Sequence, residues 1–126
     1  MKRLNDSGQT LIALLIFMLV AMTITIASIA IAITNIRSNI SYTSGEIAFN
    51  FASSGVENGL NQIQRNPSYT GSILTFTSGT ATITVSGTSP YTIVSIGENG
   101  NFQRTITATA KIVNNNIVIT NWSETP

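Results

Sequence analysis

The chain has 126 residues, with six Lys and Arg against five Asp and Glu, and neither His nor Cys. A net charge of +1 spread over scattered cations is too small for a nucleic-acid footprint. Without Cys there is no disulfide or thiolate nucleophile, and without His the commonest general base and metal ligand are missing, so the composition argues against an enzyme.

The first element is a long apolar run. No charged side chain occurs between Gln9 and Ile36, and only Thr23, Thr25 and Ser28 interrupt the stretch from Leu11 to Ile33. As a helix this stretch spans roughly 35 Å at about 1.5 Å per residue, enough for a hydrocarbon core of about 30 Å. The three hydroxyls can bond back to their own helix. Lys2 and Arg3 precede the run and Arg37 follows it, which favours an inside amino terminus. Two other readings stay open at this level. One is a secretory signal leaving at Ala30-Ile31-Ala32, for which the run is too long. The other is a plain signal anchor in which Gly8 is incidental.

The pattern then changes from wholly apolar to amphipathic. Ala48, Ala52, Val56, Leu60 and Ile63 recur at helical spacing, broadened by Ile47 and Phe51, while Glu46, Asn50, Ser53, Glu57, Asn61 and Gln64 take other faces. Pro67 ends the pattern. Gly45, Gly55 and Gly59 are expected weak points of up to about 1 kcal/mol each relative to Ala, with a kink or gap near Gly45.

From Ser72 the period becomes two. Ala81, Ile83 and Val85 share one face; so do Phe102, Ile106, Ala108, Ala110 and Ile112, in a row that Arg104 interrupts. YTIVSI and NIVIT read as further strands, and SILTFT as a shorter one. Ser78-Gly79, residues 86–90, Asn99-Gly100 and Asn114-Asn115-Asn116 are turn signals. Short links imply an antiparallel meander of four or five strands. Its apolar face needs a cover, and only the stripe at 48–63 supplies one. The expected fold is therefore α+β: a long amino-terminal helix, membrane-spanning then amphipathic, packed on a small antiparallel sheet. Trp122 is read as core or edge packing, and the two Asn-x-Ser sequons at Asn39 and Asn121 carry little weight in so Asn-rich a chain.

The leader KRLNDSG followed by QTLIALLIFML resembles the signal of type IV prepilins. FASSGVENGL resembles the A-x-x-G-[VIL]-E-x-[AG]-L segment of PilX-type minor pilins through Ala52, Gly55, Val56, Glu57, Gly59 and Leu60. YTIVSIGENGNFQRTITATA is similar to their strand pair through Tyr91, Ile93, Ser95, Gly97, Arg104, Ile106 and Ala108. The resemblance implies cleavage between Gly8 and Gln9 by a prepilin peptidase, methylation of Gln9, and retention of the apolar helix for packing against other pilin or pseudopilin subunits. Major pilins carry Glu at the fifth mature position; here it is Ala13. PilX-type minor pilins and K-type tip pseudopilins also often lack that Glu, which implies a place at or near a filament tip.

The expected organisation is thus a leader at 1–8, a transmembrane or filament-core half at 9–36, an amphipathic half at 37–66 and a sheet head at 67–126. A single-pass anchor presenting a β module for surface binding, with no filament role, is the alternative. No cofactor, metal, nucleic acid or small-molecule substrate is expected. Glu57 is either a solvated helix residue or the buried partner of Arg104.

Overall fold

The computed structural model describes residues 6–126, with side chains from Gly8 onward; most of the expected leader lies outside the described residues. A single helix, α1, runs from Asp6 to Arg65 over 60 residues. The expected break near Gly45 does not occur, because Gly45 falls on a buried position and tertiary packing outweighs a propensity cost of about 1 kcal/mol. The chain divides into two units, with the boundary between Asn39 and Ile40.

In the second unit the helix is followed by five strands: β1 (Gly71–Phe76), β2 (Gly79–Ser86), β3 (Tyr91–Asn99), β4 (Phe102–Val113) and β5 (Asn116–Thr125). They form one sheet in the order β1-β2-β3-β4-β5, every neighbouring pair antiparallel. The α+β arrangement expected from the sequence is the one observed.

Local chemistry sets the connections. Past Arg65 the helix closes with Asn66 N donating to Gln62 O at 2.7 Å. Ser68 N donates to Asn66 Oδ1 at 3.1 Å, an Asx-type turn around Pro67. Val85 N then donates to Thr70 O at 2.8 Å, hooking the link onto β2. In the β3–β4 hairpin, Asn99 pairs with Phe102, so the two-residue loop is Gly100-Asn101 rather than Asn99-Gly100. Gly100 supplies the single positive φ there, at 59°. Asn114 and Asn115 make the β4–β5 loop with φ of 52° and 64°, the pairing of left-handed residues that matches the twist of a tight hairpin.

The core lies between one face of the sheet and the second part of α1. Ala48, Ala52, Val56 and Ile63 from the helix meet Ala81, Ile83, Val85, Tyr91, Ile93, Ile106, Ala108 and Ala110, all buried. Leu60, Phe49 and Ile112 are half-buried at the margin and packed against that cluster. On the β1 side, Phe51 stacks on Phe76 with ring centroids 4.3 Å apart. Strand β5 extends beyond the NIVIT stretch, and a register shift in the β4–β5 ladder falls between Thr109 and Ala110. That irregularity changes which parity of β5 faces the helix side: Ile119 is opposite Ala110, but Trp122 is opposite Ala108 and Glu124 opposite Ile106. Trp122 is 43% exposed on this edge strand.

Candidate functional site

Two features of the described residues stand apart from ordinary core packing. The first is the uncovered part of α1. Every residue from Gly8 to Thr43 is exposed, including Leu11, Leu14, Phe17, Met18, Met22, Ile26 and Ile31. Four hydroxyls along it are closed internally. Thr23 Oγ1 donates to Val20 O, Thr25 Oγ1 to Ala21 O and Ser28 Oγ to Ile24 O, each at 2.8 Å, and Thr34 Oγ1 donates to Ala30 O at 2.9 Å. From Leu11 to Ile33 the helix closes its own hydroxyls and otherwise presents apolar side chains, which suits a medium without water. The helix is long and apolar enough to cross a membrane. Gly8, Gln9 and Ala13 all lie on this exposed stretch, with Gly8 within the helix and open space where a Cβ would stand.

The residues that carried the two downstream motifs meet one another across the helix–sheet contact. Ala52, Gly55, Val56 and Gly59 are buried on the helix; Tyr91, Ile93, Ser95, Gly97, Ile106 and Ala108 are buried on the sheet. The glycines permit close approach, which reverses the reading of Gly55 and Gly59 as mere weak points. A Cβ on Gly97 would stand 2.0 Å from Ala48 O and 2.4 Å from Ala52 N. A Cβ on Gly55 would stand 2.1 Å from Ser95 Oγ, and one on Gly59 3.1 Å from Ile93 Cγ2. Helix backbone therefore lies directly on β3 at Gly97, where only a residue without a side chain fits. Ser95 Oγ is buried in this contact with no hydrogen-bond partner.

Glu57 and Arg104 are not brought together. Glu57 is exposed on α1, whereas Arg104 lies beside Gly45, its Nη2 3.5 Å from where a Cβ there would stand. Gly45 precedes Glu57 by about three helical turns at 3.6 residues each, so a single guanidinium cannot bridge them. Arg104 Nη1 instead sits 3.7 Å from Glu124 Oε1, with the side chains 36% and 42% exposed. The interruption of the apolar row thus ends at the margin of the sheet, in solvent reach, where no buried partner is required.

That margin is the second feature. Ser41, Tyr42, Gly45, Glu46 and Phe49 from α1, Phe102 and Arg104 from β4, and Glu124 from β5 line an open cleft of about 280 Å³. Of these residues only Arg104, as a break in the apolar row, is signalled by the sequence pattern. Glu124 joins the cleft only because the β4–β5 register places it opposite Ile106, which no periodicity announces. Among the described residues no group of three or more His, Cys, Asp or Glu could hold a metal ion.

Compared with protein-family models, curated proteins and solved structures, the chain matches none of them.

Proposed function

We propose that the protein is a minor pilin or pseudopilin, a non-enzymatic subunit that takes part in assembling a type IV pilus or a type II secretion-like filament, at or near its tip. The observation that carries this reading is the contrast along α1. Its downstream part is covered by the chain's own sheet, while the stretch from Gly8 to Thr43 has no cover at all. The uncovered apolar run within it, from Leu11 to Ile33, calls for lipid before assembly and for other subunits afterwards. Small residues at Ala13, Ala21, Ala27 and Ala30 allow neighbouring helices to approach closely.

In this reading a prepilin peptidase cuts between Gly8 and Gln9, so the helix stays on the mature protein, and Gln9 becomes the methylated terminus. The leader is cytoplasmic and the sheet head extracytoplasmic, reaching the cell surface with the filament. Ala13 brings no carboxylate to pair with the amine of a subunit above, which supports a position where no such subunit sits. A charge there would cost about 2.5–3.5 kcal/mol in the bilayer without that partner.

Fractionation of cells that make the protein tests this. The chain should appear with filaments sheared from the surface and remain in the membrane when the prepilin peptidase is inactivated. If it stays in the membrane with an active peptidase, and filaments form in equal number without it, the anchored β module is the correct reading.

A further inference from the structure

We propose that the cleft between helix residues 41–49 and the start of β4 receives a basic side chain, the ammonium or guanidinium group of a partner protein. This goes beyond the filament reading and holds for any partner that meets the head.

The lining decides the chemistry. Tyr42, Phe49 and Phe102 contribute three aromatic rings, and Glu46 and Glu124 two carboxylates, against one guanidinium from Arg104. Glu46 has no ion pair or hydrogen bond among the described residues. Glu124 is held by Arg104 only at 3.7 Å, with both side chains more than a third exposed, a pairing that solvent weakens. The cleft therefore carries one negative charge in excess, beside π faces that also attract cations. An anion would meet two carboxylates against a single guanidinium. A purely apolar group would strip water from three charges without pairing them. A single cation reaching between the rings gains from Glu46 and from the aromatic faces together. The volume of about 280 Å³ lies at or below the lower end for small-molecule pockets, which begin at about 300 Å³, and it suits the end of one long side chain. Gly45 forms part of the floor, 3.5 Å from Arg104 Nη2 measured from where a Cβ would stand, an ordinary contact distance. The chain's other described cations, Arg37, Arg65 and Lys111, do not line the cleft, which leaves the position for a partner.

The test uses the isotope-labelled full chain in an uncharged maltoside detergent, titrated with N-acetyl-arginine amide and, separately, with N-acetyl-glutamate amide. The arginine probe should shift the amides of Gly45, Glu46, Phe102 and Arg104 saturably, and the glutamate probe should not. Glu46→Gln should weaken the arginine probe by roughly threefold. Glu57→Gln removes the same charge from an exposed site outside the cleft and should leave binding unchanged. Absence of saturable shifts with the arginine probe overturns the proposal. So do equal shifts with the glutamate probe, or undiminished binding by Glu46→Gln. Filament fractionation could fail while this titration succeeds, so the two readings are separable.

Discussion

Replacing Gly97 by Ala adds one methyl group where helix backbone lies against the sheet. On strand grounds alone the change should help, since Gly in a strand interior costs roughly 0.5–1 kcal/mol relative to Ala. The contact geometry predicts the opposite. The new Cβ would lie 2.0 Å from Ala48 O and 2.4 Å from Ala52 N. Both atoms are helix backbone, so no rotamer change relieves the overlap. The helix must lift by about 1 Å, and a gap of 0.5–1 Å forfeits about a quarter to a half of each dispersion contact. Ala48, Ala52, Val56 and Ile63, all at 0% or 1% exposure, lose contacts together. The net destabilisation should be about 3 kcal/mol, the upper end of the usual overpacking range. Denaturant unfolding of the full chain in mild detergent, followed by Trp122 fluorescence, reads this as a lower midpoint at unchanged slope. Gly100→Ala is the control: it has open space around it but φ of 59°, and should cost only about 1 kcal/mol. A Gly97→Ala protein as stable as the parent would refute the close helix–sheet contact.

Other outcomes follow from the same interface. Ser95→Ala should be neutral or stabilising by up to about 1 kcal/mol, because it removes a buried hydroxyl with no partner; a loss above that in the same unfolding assay would reveal an interaction absent from the structure. Gly55→Ala, facing Ser95 Oγ at 2.1 Å, should be less harmful in the Ser95→Gly background than alone, a non-additivity that a double-mutant cycle measures. Arg104→Ala should cost less than about 1 kcal/mol of stability, since its ion pair with Glu124 is long and solvent-exposed; a markedly larger loss in the unfolding assay would point to a buried partner after all.

Where one physical pattern dominates, the sequence was readable. The apolar run was legible because no polar requirement competes with it, and the alternating strands because one face of the sheet is buried. Stripe residues Ala48, Ala52, Val56 and Ile63 could be placed from spacing alone. The glycines could not: propensity assigns Gly45, Gly55 and Gly59 a cost, and only the distance between helix and sheet shows that a larger residue would collide at Gly55 and sit tightly at Gly59. Arg104 was legible as an anomaly, but its partner was not, since pairing with Glu124 depends on a bulge between Thr109 and Ala110. The same bulge hid the end of β5, where Ile119 and Trp122 break the alternation. Gly100 took the positive φ expected of the hairpin, while Asn99 stayed in the ladder because its pairing with Phe102 closes the shorter loop.

Everything functional in this account depends on the uncovered helix remaining on the working protein and being covered by other molecules. Intact mass and terminal sequencing of the chain recovered from its native membrane or filament fraction test that most directly. A terminus at Gln9, methylated on its amine, is the predicted result. A terminus at Ile33, on a head that stays in solution without detergent, would contradict it.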